Sequence, residues 1–220
     1  MRNWIDFKAE LQILERCMPT SNCLPEREQI REIRQRFAAE KCQTDCQEDS
    51  RKTVYLMRGL PSCGKSTRAK ELVQASGIVL ETDAYFEHIG EDGVTLYDFD
   101  SKQLGEARSW LMTRFQEALE KGISPIVIDR GNGVNRESRA FAQKAQEFGY
   151  AVQISEPNSP WWAEIRTLLR YRPLTDSLLE AWAEELAELS RETHSVSAET
   201  IRHWMECWQD DVSVDDILTA

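Results

Sequence analysis

The stretch Gly59-Leu60-Pro61-Ser62-Cys63-Gly64-Lys65-Ser66-Thr67 constrains this chain more than any other. It satisfies the G-x-x-x-x-G-K-[ST] rule of a phosphate-cradling loop. Its flanks agree with that reading. Thr53-Val54-Tyr55-Leu56-Met57 is a short apolar, β-rich run that reads as a buried strand, and Arg68-Ala69-Lys70-Glu71-Leu72-Val73 has helical character. A strand, a glycine turn and a helix in that order aim backbone N–H groups and the positive end of a helix at one point, which suits a nucleotide's phosphates. Lys65 would reach the β- and γ-phosphates, and Ser66 would ligand magnesium. An ordinary glycine turn is the alternative, and the agreement of motif and flanks argues against it.

Beyond the loop the chain alternates. Ile78-Val79-Leu80 reads as a second strand ending in Glu81-Thr82-Asp83, and Pro125-Ile126-Val127-Ile128-Asp129 as a third, wholly apolar until its last residue. Ala151-Val152-Gln153-Ile154-Ser155 reads as a fourth. Between them, His88 to Gly93 is turn-rich, Ser101 is placed to cap a long amphipathic helix that Gly122 ends, and Asn135 is placed to cap a helix to Phe148. From Glu156 onward the pattern is helical, over Trp161 to Tyr171, Leu174 to Arg191 and Ala198 to Trp208. Strands alternating with helices, with continuous apolar runs in the central strands, predict an α/β fold with a parallel sheet covered by helices on both faces. Ligands of such sheets lie beyond the carboxyl ends of the strands, so Asp83 and Asp129 fall on the same rim as the phosphate loop.

At 220 residues the chain has room for one well-cored domain and an appendage. Residues 1–50 read as that appendage: Trp4, Phe7, Leu11 and Leu14 recur at helical spacing, Pro19 to Pro25 interrupts, and Ile30, Ile33 and Phe37 resume. It is expected to cap the main domain, residues 51–220, or to recruit a protein partner. A formal charge of -11 argues against broad electrostatic adhesion to nucleic acid or anionic membranes, leaving room for a local basic cleft. No run approaches the length of a membrane span and the first residues lack the apolar core of a signal peptide, so a cytoplasmic protein is expected. Reduced thiols are then the default for the six cysteines. Cys17, Cys23, Cys42 and Cys46 lack the tight C-x-x-C spacing of a zinc knuckle.

Phosphoryl transfer needs a cradle, a metal, a group that orients or deprotonates the attacking hydroxyl, and a cation over the moving phosphoryl. Asp83 is the best candidate for the base, against the alternative of an Asx turn that starts the next segment. Asp129 has the placement of an acid that holds magnesium through water, against a strand-ending turn with Gly131 and Gly133. The cation has three candidates, Arg170, Arg172 and Arg191. The tryptophans at 161, 162, 182, 204 and 208 sit at helical spacing, which favours core packing over stacking on a base. Cys63 stands inside the loop, where adjacent N–H groups and Lys65 are expected to depress its thiol pKa and make it a target for oxidation or alkylation.

With these pieces assembled, the chain resembles P-loop kinases of the polynucleotide-kinase-like group. The matching residues are Arg58-Gly59-Leu60-Pro61, Gly64-Lys65-Ser66-Thr67, Thr82-Asp83-Ala84-Tyr85-Phe86, Gly122 to Asp129 with Asn132, and Arg191 with His194-Ser195-Val196 ahead of Ile201, Met205 and Trp208. The likeness runs from about Val54 to the C-terminus and implies a P-loop fold with a helical lid over about 157–209. In that group the aspartate matching Asp83 is the general base, and a lid arginine, best matched by Arg191, steadies the phosphoryl group. The resemblance implies ATP and magnesium as cofactors and, as acceptor, a hydroxyl such as the 5′ end of RNA or DNA. A small-molecule kinase like the zeta-toxin enzymes, or a non-catalytic nucleotide-binding module, are the rival readings. Three departures stand out: Ser62 where relatives place glycine, Arg130-Gly131-Asn132 where they read Asn-Thr-Asn, and Phe86 where the phage member carries an arginine for the acceptor's phosphate.

Overall fold

Burial of successive residues in the central strands decides the layering. In a computed structural model, which describes residues 9–14, 51–73, 76–89, 95–131, 135–191 and 195–220, strand β1 (Thr53–Met57) lies between β5 (Ile126–Ile128) and β6 (Ala151–Ser155), and β2 (Ile78–Leu80) lies outside β5. All three pairings are parallel, with Leu80, Ile128 and Leu56 in register across the sheet. Val54, Leu56, Ile126 and Ile128 face one side and pack under Leu111 and Phe115 of α3 (Leu104–Glu120) and Phe141 and Ala142 of α4 (Asn135–Glu147). Their sequence neighbours Met57 and Val127 face the other side, against Ala69 and Leu72 of α2 (Lys65–Val73). Alternate side chains of a strand point to opposite faces, so residues buried in succession require cover on both. The expected α/β architecture is therefore the one observed.

One element differs from expectation at its start, and a hairpin and a final helix were not anticipated. Asp100, rather than Ser101, accepts the capping hydrogen bond from Lys102 N, and it opens a single 3₁₀ turn that runs into α3. The turn-rich segment includes an antiparallel pair, β3 (Glu87–Ile89) with β4 (Thr95–Tyr97). Near the C-terminus a short α8 (Val214–Thr219) closes on α4, started by a capping box between Ser213 and Asp216 and anchored by buried Ile217.

The remaining helices build a second core. Ser159 caps α5 (Pro160–Arg170), with Pro160 at its first turn; α6 (Arg172–Ser190) and α7 (Ala198–Glu206) follow. Trp162, Ile165, Leu168, Leu179, Leu186, Ile201, Met205 and Trp208 interlock, and Leu60 and Cys63 of the phosphate loop enter the same cluster. Trp162 and Trp208 meet edge to face at 5.1 Å, so these two tryptophans are core residues. Of the N-terminal appendage, residues 9–14 form a helical turn, α1, whose Leu14 is 1% exposed and whose Glu10 pairs with Arg170. The rest of that appendage, with Cys17, Cys23, Cys42 and Cys46, lies outside the described residues, as do Asn132, Gly133 and His194. Among the described residues no helix is long and apolar enough to cross a membrane.

Candidate nucleotide site

Because the strands run parallel, their carboxyl ends share one rim, and the strand order fixes what stands beside what. Asp83 follows β2, Asp129 follows β5, the phosphate loop follows β1 and Glu156 follows β6. Asp129 thus stands between the loop and Asp83, held there by its N–H donating to Leu80 O at 2.9 Å.

The loop is shaped by its carbonyls. Leu60 O accepts from Lys65 Nζ at 2.9 Å, Ser62 O from Trp161 Nε1 at 3.2 Å and Cys63 O from Ser159 Oγ at 2.9 Å. In a trans peptide the C=O and the next N–H point oppositely, so the N–H groups of Cys63 and Gly64 face away from these partners. The N–H groups of Lys65, Ser66 and Thr67 at the start of α2 precede the first helical hydrogen bond, from Arg68 N to Gly64 O at 3.1 Å, and so remain available to a ligand. Gly64 sits at φ +92°, and a side chain at Gly59 would place its Cβ 2.9 Å from Pro157 Cδ. Ser62 also adopts a left-handed conformation, φ +57°, so the serine takes up the backbone that its glycine counterpart would.

Lys65 is half-buried at the floor. Burial pulls its pKa down, while Asp129, then Cys63 and Asp83, pull it back up, which places all three in its electrostatic neighbourhood. Asp129 is buried, and neither of its carboxylate oxygens has a hydrogen-bond partner among the described residues. An ionised buried carboxylate without partners is costly, so the position fits a water-bound or directly held cation. Among the described residues no group of three or more His, Cys, Asp or Glu forms a metal cage by itself. Ser66 and Thr67, at the start of α2, are exposed.

Asp83 begins a 3₁₀ turn, Asp83–Tyr85, and Tyr97 Oη donates to its Oδ1 at 3.5 Å. Burial, with the Asp83 charge next, pushes the Tyr97 phenol up to about 12, so it stays a donor at neutral pH. Glu81 is pushed upward by burial and then by Asp129, Glu87 and Asp83, which marks this half of the rim as acidic. Phe86 is buried beneath the hairpin, 5.1 Å from the ring of Phe99.

Cys63 corrects the expectation made for it. Its side chain is wholly buried in the helical core, and that burial outweighs Lys65, pushing the thiol up to about 12. Arg191 is not beside the loop's described contacts. It ends α6, its side chain is 72% exposed, it pairs with Glu188, and it lines an open depression with Glu184 and Val196. Arg170 is committed to Glu10, Asp210 and Asp211, and Arg172 donates to the carbonyls of Met205 and Glu206 at the end of α7.

Sequence reasoning missed the clamp outside the loop. Pro157, Ser159 and Trp161 hold it from the α5 side, and the Ser-Pro pair that starts α5 was the signal available. It also missed Glu156, which binds Arg58 at 3.3 Å, Arg166 at 2.6 Å and Trp162 Nε1 at 3.2 Å. Arg58 in turn lies 4.0 Å over the ring of Trp208 and donates to Gln209 O. Arg58 sits one residue before the motif and Glu156 one residue past β6, and their ion pair ties the ends of these two neighbouring strands together.

The AAA domain family matches residues 54–193, a span from the first residues of β1 to just past α6 that contains the loop, Asp83 and Asp129. NEDD4-binding protein 2 of Homo sapiens is 38% identical over 169 residues, which cover 76% of this chain and 8% of that much longer protein. The sheet order, the loop and the matched span make this a P-loop fold suited to binding a nucleotide, and the chain belongs to the AAA domain family.

Proposed function

We propose that the protein is an ATP-dependent phosphotransferase that moves the γ-phosphoryl group to a hydroxyl acceptor, in first place a polynucleotide 5′-hydroxyl. The observation that carries this reading is the convergence of Lys65, Asp129 and Asp83 on one sheet rim, with both Asp129 oxygens unpartnered among the described residues. The acceptor's O–H proton passes to an Asp83 carboxylate oxygen as its oxygen bonds the γ-phosphorus and the bond to the β-phosphate oxygen breaks, releasing ADP. Lys65 exchanges the Leu60 carbonyl for phosphate oxygens, and the N–H groups of the loop hold the β-phosphate. Ser66 and Asp129 would hold magnesium, which when bound neutralises charge on the phosphates and polarises the γ-phosphoryl group. Arg191 is the proposed cation over the phosphoryl group. Its exposed pairing with Glu188 is worth at most about 1 kcal/mol and is cheaply exchanged.

The test is transfer of labelled γ-phosphate to a 5′-hydroxyl oligonucleotide. Asp83→Ala should lower transfer at least ~100-fold while ATP binding stays within about twofold. Equal transfer by the variant removes Asp83 as the base. The acidic rim around Glu81, Glu87 and Asp83 favours a second reading, a small-molecule kinase, over any acceptor that must lay several phosphates there. Transfer to a metabolite with none to the oligonucleotide would establish that second reading.

A further inference from the structure

The hairpin beside Asp83 carries aromatic surface that the phosphate site does not use. Tyr97 and Phe99 stack nearly parallel, with rings 6.5 Å apart and 11° between planes, and remain 40% and 51% exposed. Buried Phe86 holds both from beneath, edge-on at 6.2 Å and 5.1 Å, and Tyr85 continues the cluster to Trp110. The rings are therefore fixed before any ligand arrives, while their outer faces stay open to solvent. Tyr97 joins this platform to the site through its hydrogen bond to Asp83. Glu87 and Asp98 flank the platform, a setting that opposes phosphate and tolerates a neutral planar ring.

Building on the phosphotransferase reading, we propose that Tyr97 and Phe99 form the acceptor's ring subsite: the acceptor is a nucleoside, free or at a chain end, whose base stacks there while its hydroxyl meets Asp83. Buried Phe86 then supports the stacking surface from beneath, and recognition of the terminal unit rests on its base. Stacking of one base on an aromatic side chain contributes about five- to hundredfold in affinity.

The experiment measures binding of two 3′-labelled oligonucleotides with 5′-hydroxyl ends, one ending in adenosine and one in an abasic sugar, to the full chain. The abasic ligand should bind five- to hundredfold more weakly. Phe99→Ala should weaken the adenosine-ended ligand by a similar factor and leave the abasic one unchanged, and Phe99→Trp should keep the preference if Phe99→Ala proves unstable. Equal affinity for the two ligands, equal loss of both on Phe99→Ala, or loss of the preference in Phe99→Trp overturns the proposal. Free adenosine competing with the oligonucleotide identifies a nucleoside acceptor, and failure to compete identifies a chain end. Phosphate transfer is read separately: base-selective binding without transfer leaves the subsite standing and removes the kinase chemistry.

Discussion

At Ser62 a side chain occupies a backbone conformation that favours glycine. A left-handed φ of +57° costs a non-glycine residue roughly 1 kcal/mol, partly offset because glycine loses more freedom on folding. Ser62→Gly should therefore raise stability by at most about 1 kcal/mol and leave nucleotide affinity unchanged, since the serine contributes its carbonyl to Trp161. Ser62→Val, branched at Cβ, should lose about 2 kcal/mol or more in urea unfolding. Cys63 makes a second residue-scale case. With its thiol near 12, only about one part in ten thousand is thiolate at pH 8. Its alkylation in the folded protein should stay slow from pH 7 to 9, whereas exposed Cys207 reacts readily; peptide mapping after thiol labelling checks this. The Cys63 expectation failed because its adjacent residues suggest a stabilised anion, while Trp162 and Ile165, about a hundred positions away, supply the burial that decides.

Among the elements, the strands of the sheet were legible and the hairpin was not, for one physical reason. Apolar runs such as Ile126-Val127-Ile128 are written by burial on two faces, whereas Glu87-His88-Ile89 is exposed on every residue and carries no pattern that burial could imprint. Tyr97, the contact of Asp83, lies on the partner of that strand, so no spacing rule could point to it. The tie between the ends of β1 and β6 was equally illegible, because Glu156 and Arg58 meet across 98 positions. Removing the charge with Glu156→Gln leaves Arg58 buried beside Trp208 without its carboxylate. That should destabilise the protein by about 2–4 kcal/mol, measured by denaturant midpoint at constant m-value. Glu156→Asp should retain part of the loss, since the shorter side chain cannot reach both Arg58 and Arg166.

For the whole molecule, α1 belongs to the folded body. Leu14 is nearly inaccessible and Glu10 meets the guanidinium of Arg170, itself bound to Asp210 and Asp211 near the C-terminus. Removing residues 1–14 should cost about 2 kcal/mol or more of stability, from one buried leucine and one enclosed ion pair, and lower the melting temperature by several degrees. An unchanged melting temperature would mean that this helix is only draped on the surface. Leu60 and Cys63 carry a larger consequence. They are loop residues, yet they are sealed among Trp162, Ile165, Leu168 and Met205, so the cradle's floor and the helical roof cannot part without uncovering both. Nucleotide entering the mouth should thus be sensed far from it: amide hydrogen exchange in α5 and α7 should slow along with that in α2, the roof and the grip rising and falling as one thermodynamic unit.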